Sequence, residues 1–354
     1  MKESNRNYVR KYFAAANTYK GFISYFDTVF DPEKFSRLYV LKGGPGTGKS
    51  SFMKKVARFF GEKNYRVEEI YCSSDPRSLD GVIIENLDKK IAIIDGTAPH
   101  ERDAKIPGAR DELLDLGVGW DKAWLMARGE EIIAIGKGKS DAYKTAYQYL
   151  ALAGKSYEII RSCYKTSFCR TKAKIKAECI FEDISSIDAP YVLTRLISSF
   201  GRFGDHQIDD AFDRNTKLIT VRGDRYSVDL FLDCCYEVLK YKNARFVHLL
   251  CALDPTVTDA LYLPDNNIAI ARSESGEIDA DQFVTLPLTD QERIKKAKQL
   301  QRDSLDEAKR WFAIASDLHF RLEEIYGQAM NFEIINQIID EKITEIGNIL
   351  ENHT

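Results

Sequence analysis

Residues 37–53, RLYVLKGGPGTGKSSFM, constrain what this chain can fold into more than any other stretch. Leu38 to Leu41 is a short run of apolar, β-branched and aromatic residues, and Gly43 to Ser50 fits G-x-x-x-x-G-K-[ST]. From Phe52 to Phe60, apolar residues recur at helical spacing with basic residues on the other face. That order predicts a strand, a glycine loop and a helix. Two more runs extend it. Arg66 to Cys72 (RVEEIYC) predicts a second strand, and Lys90 to Asp95 (KIAIID) a buried strand that ends in an acid, with a loop dense in turn formers at Ser73 to Gly81. Strand, loop, helix, strand, loop, strand is the start of a parallel α/β sheet, and the expected fold is a three-layer α/β sandwich.

The residue types of the glycine loop point to a chemistry. Backbone amides wrap a phosphate only at angles that glycine reaches cheaply, which Gly43, Gly44, Gly46 and Gly48 supply. The helix after the loop turns its N-terminal amides and positive dipole end toward the same anion. Lys49 is then expected to reach the β- and γ-phosphates and the Ser50 hydroxyl to ligate Mg²⁺, with Pro45, Thr47 and Ser51 completing the binding segment. Asp95 is the expected second carboxylate on the metal side.

Five other side chains near these are candidates for a catalytic, turn or clamp role. Asp75 lies where a carboxylate would orient water, ligate the metal or contact an acceptor, whereas Asp80 also fits a plain turn, Leu79-Asp80-Gly81. His100 follows Asp95 closely enough to reach the same pocket, and Arg102 and Arg110 in that loop are phosphate-clamp candidates. The catalytic set read from the residues is therefore Lys49, Asp95, Asp75 and His100. Gly96 follows Asp95, so the Asp-Glu pair that polarises water in many fast ATPases is missing, which favours slow hydrolysis or transfer to another acceptor.

Composition excludes several classes. The chain has 354 residues, Lys+Arg 51 against Asp+Glu 54 and 44% hydrophobic content, enough for real cores and without the charge excess that nucleic acid or an anionic membrane would call for. The basic run Arg170 to Lys176 fits a solvated helix face. No apolar run approaches membrane-spanning length and the N-terminus is too polar for a secretory signal, so a cytoplasmic protein is expected. The seven cysteines form no paired C-x-x-C pattern and are expected as buried free thiols, and the dispersed histidines suggest no zinc site.

Along the chain, residues 1–36 are expected to form a mostly helical lead-in with an aromatic stripe from Tyr8 through Tyr12, Phe13, Tyr19, Phe22 and Phe26 to Phe30. Residues 37–120 form the half with the glycine loop and Asp95, and 121–190 a helical arm. Residues 191–288 then resemble 37–120, and 289–354 form a second helical arm. Lys217 to Leu232 lies over Arg37 to Phe52 with a shift of 180, Cys251-Ala-Leu-Asp254-Pro255 over Cys72-Ser-Ser-Asp75-Pro76 at 179, and Ile268 to Ala271 over Ile91 to Ile94 at 177. Such drifting shifts are what an old tandem duplication with small loop deletions leaves. Asp229 stands where Lys49 is and Arg272 where Asp95 is, so the second copy is expected to be degenerate, repelling the anion that the first attracts. Each half shows about three convincing strands, so either further ones lie in segments such as Glu130 to Ile135 and Phe283 to Leu286, or the halves build a shared sheet.

GGPGTGKS with a strand-terminal Asp95 resembles the P-loop NTPase superfamily. Together, CSSDPRSLDG (72–81), IIDGTAPH (93–100), IPGARDELLDLG (106–117) and the second loop-like half resemble a little-characterised bacterial family of two-repeat P-loop ATPases or putative nucleotide kinases. The resemblance implies ATP and Mg²⁺ at Gly43 to Ser51 and Asp95. Three functions follow: an ATPase or switch whose intact half works with the degenerate half as an intramolecular pseudo-dimer, a phosphotransferase acting on a nucleotide or other small-molecule or protein acceptor, and a nucleotide-gated scaffold without turnover.

Overall fold

The computed structural model describes residues 9–86, 88–185, 191–208, 210–213 and 215–351. The first eight residues of the expected lead-in, Tyr8 among them, lie outside these, as do 186–190 at the end of the expected arm 121–190 and the last three residues of the second arm. The lead-in is not helical. It forms β1 (Val9–Phe13), β2 (Ala15–Thr18) and β3 (Gly21–Ser24), followed by the single turn α1 (Phe26–Val29). The aromatic spacing mimics a helix because strands of four or five residues are interrupted by a tight turn. That turn closes through Thr18, whose hydroxyl donates to the Gly21 carbonyl at 2.7 Å while Gly21 takes φ +102°. The aromatic residues are nonetheless largely core, with Tyr12, Phe13 and Phe30 at 1% exposure or less.

The strand–loop–helix prediction is met by β4 (Arg37–Lys42) and α2 (Lys49–Glu62). After them come β5 (Arg66–Tyr71), β6 (Leu79–Glu85), β7 (Lys90–Asp95), β8 (Asp111–Asp115), the short α3 (Lys122–Met126) and the long α4 (Gly129–Ser167) and α5 (Arg170–Ile180). The remaining chain forms β9 (Val192–Leu196), β10 (Ser198–Gly201), β11 (Gly204–Gln207), β12 (Lys217–Arg222), α6 (Arg225–Tyr241), β13 (Phe246–Leu250), β14 (Thr258–Leu263), β15 (Ile268–Arg272), β16 (Ile278–Asp279), α7 (Leu288–Gln328) and α8 (Phe332–Glu351). Glu130 to Ile135 is part of α4, and Phe283 to Leu286 ends a 3-10 turn; neither hides a strand. The extra strands come instead from β1, β6 and β8 and from β9, β14 and β16.

The chain divides into two compact units, one of 1–14, 24–144 and 311–354, the other of 15–23 and 145–310, so that each expected helical arm contributes to both. In the first unit the strands run β1-β5-β6-β7-β4-β8. β1 is parallel to β5, and β4 is parallel to both β7 and β8, while β6 is antiparallel to its two neighbours. The second unit runs β9-β13-β14-β15-β12-β16, with β14 as its antiparallel strand. The strands of each unit are thus mostly rather than wholly parallel, an α/β arrangement compatible with a three-layer sandwich. The exceptions have a simple cause: the connections from β5 to β6 and from β6 to β7 are too short for a crossover, so the middle strand must reverse.

The first unit's core lies between α2, the sheet and α8. Phe52, Met53, Val56 and Phe60 of α2 meet Tyr39, Leu41, Val82 and Ile91 of the sheet, and α8 adds Ile335, Ile339, Ile343, Ile346 and Leu350 on one stripe. In the second unit α5 supplies Ala173 and Ala177, and its C-cap Phe181, to α6 and the strands beneath it, leaving the lysines of 170–176 outward or half-buried, as expected. Four of the seven free cysteines are buried, but Cys169 and Cys179 are exposed, at the start of α5 and within it. Among the described residues no helix is long and apolar enough to cross a membrane.

Because Ile346 is wholly buried and Ile133 is 72% exposed, the two isoleucines should respond differently to truncation. Ile346→Ala is expected to cost about 2–5 kcal/mol and Ile133→Ala less than about 0.5 kcal/mol, read from urea midpoints at unchanged slope.

Candidate functional site

The glycine loop occupies 43–48, between the end of β4 and the start of α2. Gly43, Gly46 and Gly48 have φ of +145°, +69° and +88°, values that L side chains rarely adopt. Thr47 is buried inside the turn, its hydroxyl donating to the Gly44 carbonyl at 2.9 Å. Lys49 Nζ curls back over the loop and donates to the carbonyls of Gly43 and Gly44, both at 2.9 Å. It also lies 3.7 Å from Asp95 Oδ2. The register of β4 on β7 sets this pair, since Leu41 is opposite Asp95.

Asp95 is held by Thr97, whose amide and hydroxyl donate to Oδ1 at 2.9 and 2.6 Å. Burial pushes the Asp95 carboxyl above its usual range, the Lys49 cation opposes the rise and Asp80 adds to it. Ser50 Oγ accepts from Leu79 N at 2.9 Å, which ties the first turn of α2 to β6 beside Asp80. Among the described residues no group of three or more His, Cys, Asp or Glu side chains is arranged to hold a metal ion. A hard cation at Ser50 and Asp95 would therefore take the rest of its oxygens from water and phosphate, the habit of Mg²⁺.

The other sequence candidates divide. His100 is buried, stacked on Phe26 with ring centroids 3.9 Å apart, and its Nε2 is 3.3 Å from Asp80 Oδ2. Asp80, weakly signalled in sequence because it also fits a turn, thus joins the site through both His100 and Asp95. Asp75 does not present an open carboxylate: Arg77 engages both of its oxygens at 2.9 and 2.8 Å, and the Arg77 amide donates to it at 3.1 Å. Its counterpart Asp254 makes the same kind of turn with Thr256, so this carboxylate shapes its loop in each unit. Arg110 is likewise spent on its buried neighbour Asp111, and Arg102 is buried with one nitrogen 3.5 Å from the Phe26 carbonyl. Neither is arranged as a phosphate clamp.

Sequence reasoning missed what covers the loop. A Cβ on Gly46 would lie 2.4 Å from the Glu323 carbonyl oxygen of α7, and one on Gly48 would be 3.7 Å from Phe332 of α8. Gly44 faces the rings of Tyr326 and Trp120. These partners come from far along the chain and carry no local signature.

At the matching place in the second unit, only Gly223 and Asp224 separate β12 from α6, so no wrapped loop forms. Arg225 fills the position, its Nη2 2.8 Å from Cys251 Sγ and its Nε 3.9 Å from Asp229 Oδ2. Asp229 is 2% exposed. Burial pushes its carboxyl up to about 7 against the opposing Arg225 and Arg272 cations, with Asp259 and Asp233 adding to the rise. Relative to Lys49 and Asp95, the charges of Asp229 and Arg272 are reversed.

No family model, curated protein or solved structure matches this chain.

Two outcomes are expected from these contacts. Gly46→Ala should destabilise the protein more than Gly108→Ala, because both have positive φ but only Gly46 abuts a backbone oxygen, Gly108 facing open space; thermal melts compare them. For Asp229, a folded-state value near 7 against the ordinary 3.8 means the folded chain keeps a proton the unfolded chain has released. Stability therefore falls as pH rises through that window, by at most about 1.4 kcal/mol per pH unit. Asp229→Asn should flatten the dependence of Tm on pH between those two values.

Proposed function

We propose that this protein is a Mg-ATP-binding P-loop ATPase with one working nucleotide half, centred on Gly43 to Ser51 and Asp95, and one degenerate half derived from it by tandem duplication. The observation that carries the reading is the loop itself. Three glycines with positive φ bend the chain between a buried strand and the start of a 14-residue helix, and Lys49 Nζ lies over the Gly43 and Gly44 carbonyls within 3.7 Å of Asp95. Loop carbonyls and Asp95 stand where phosphate oxygens would draw the ammonium, and the Ser50 hydroxyl lies at the first turn of the same helix. In support of duplication, the strands of the two units share order and direction, and β12 aligns with β4 at the shift of 180 read from sequence. The reversed charges at Asp229 and Arg272, with Arg225 in the position of the loop, support loss of nucleotide binding in the second half.

A second reading, phosphoryl transfer to an acceptor other than water, is favoured by Gly96. A Cβ there would sit 2.3 Å from Val40 Cγ1 and 3.0 Å from the Arg102 carbonyl, so the position next to Asp95 has no room for a water-polarising glutamate. In that reading the buried His100–Asp80 pair is the candidate to accept the proton of an incoming hydroxyl.

The test follows ADP formation and nucleotide binding on the same samples of wild type, Lys49→Ala and Asp95→Asn. Lys49→Ala removes a charge-assisted hydrogen bond worth about 1.5–3 kcal/mol, so binding should weaken roughly 10- to 100-fold, and Asp95→Asn should lose turnover and its magnesium dependence. Acceptor-stimulated ADP release that disappears in His100→Ala would favour transfer over hydrolysis. Binding without turnover above the variants, with or without acceptors, would leave a nucleotide-gated scaffold.

A further inference from the structure

The metal side of the proposed site is the Asp95 side, and the sheet order places something different on the other. β7 flanks β4 on one side and β8 on the other, with Leu41 opposite Asp95 and Lys42 opposite Asp115. The chain leaving β8 passes through a 3-10 turn at Leu116–Gly119 and delivers Trp120 to the loop. A Cβ on Gly117 would lie 2.8 Å from Cζ3 and 2.9 Å from Cε3 of the indole, whereas one on Gly44 would lie 3.4 Å from Cζ2. Cζ2 adjoins the N–H edge, so the ring rests on Gly117 by its far edge and turns its N–H edge toward the glycine loop.

Two more features mark this ring. Tyr326 of α7 stands beside it at 5.7 Å between centroids, tilted by 48°, and itself closes on Gly44 at 3.2 Å from the same notional Cβ. The indole Nε1 is shielded from solvent and has no hydrogen-bond partner, although it is a donor only. Reciprocal backbone bonds hold the pair in place, from Asp121 N to the Ala329 carbonyl and from Asn331 N to the Gly119 carbonyl, both at 2.8 Å. Packing alone accounts for an aromatic pair, but a buried donor left unpaired beside a phosphate-type loop is what a site completed by a ligand acceptor leaves behind.

We infer that Trp120 and Tyr326 form the nucleobase subsite of the proposed nucleotide site: the base stacks on the aromatic pair and a ring nitrogen or carbonyl of the base accepts from Trp120 Nε1. The inference rests on the P-loop reading. It divides the ligand between the two flanks of β4, with the metal and terminal phosphates toward Asp95 and the nucleoside toward β8. Tyr326 is half-buried and its side chain must shift for the base to reach the indole edge.

Titration calorimetry of the full chain with Mg-ATP and with Mg-tripolyphosphate, which has the phosphates but no base, separates the two layers of the argument. Wild type should bind Mg-ATP at least about tenfold more tightly than Mg-tripolyphosphate, the scale of one base–aromatic stack. Trp120→Ala and Tyr326→Ala should each lose about tenfold toward Mg-ATP while binding Mg-tripolyphosphate within about twofold of wild type, which also shows that they fold. Trp120→Phe keeps a stacking ring and removes the N–H, and should lose part of the Mg-ATP preference alone; it decides the matter if the alanine variants bind neither ligand. Equal binding of the two ligands by wild type, or variants that still bind both ligands but weaken them alike, overturns the subsite and leaves the P-loop reading intact, as does a Trp120→Phe variant with an unchanged Mg-ATP preference where the alanine variants bind neither. Failure of wild type to bind either ligand overturns both.

Discussion

Burial of β4 between two parallel neighbours is the constraint on which the first unit depends. Leu38 to Leu41 are wholly buried, and the flanking strands β7 and β8 are registered so that Asp95 and Asp115 end level with the start of the glycine loop. A strand whose faces and edges are all occupied cannot slip, because a one-residue shift would turn every side chain to the opposite face. The loop, the Lys49–Asp95 pair and the α2 terminus therefore inherit a fixed position from hydrophobic packing alone. The polar groups of the site then solve a secondary problem, which is to satisfy charges that this packing has removed from water. Lys49 finds loop carbonyls, Asp95 finds Thr97, and Asp80 finds His100.

The second unit shows what the same strand order does when those polar groups change. With only Gly223 and Asp224 between β12 and α6, the helix starts four residues earlier relative to its strand than α2 does, and Arg225 enters the space. The carboxylates at Asp229 and Asp259 surround it, and Asp229 is buried deeply enough to hold its proton up to about neutral pH. A glycine loop and a buried arginine–aspartate cluster are thus alternative fillings of one topological position. The first sets an ammonium over the loop carbonyls beside Asp95; the second packs its arginine against Cys251 and Asp229.

Much of the first filling was legible because it is local. The strand, glycine loop and helix follow one another within 37–62, and β7 announces itself by KIAIID. Asp75 was legible in position but not in role, since its ion pair with Arg77 depends on how the loop folds back on itself. The lead-in went wrong for an opposite reason: short strands with aromatic residues between tight turns imitate a helical period over a dozen residues. β6 was hidden because LDGVIIE begins with turn formers and continues the loop before it becomes a strand. The strand reversal at β6 needed the short connections on both sides to be recognised together.

By itself, then, the sequence determined the α/β class, the place of the glycine loop between β4 and α2 and the strand that ends at Asp95, because each rests on residues close in the chain. Only the tertiary structure decided that Asp80 and His100 meet, that Arg110 is consumed by Asp111, and that α7 and α8 close over Gly44, Gly46 and Gly48. The α7 and α8 contacts join residues nearly three hundred positions apart, and they are set by which faces must be buried after the sheet has formed. No local pattern of residue types encodes that outcome, because the same buried stripe on α8 would pack equally well against other apolar surfaces until the whole core is assembled.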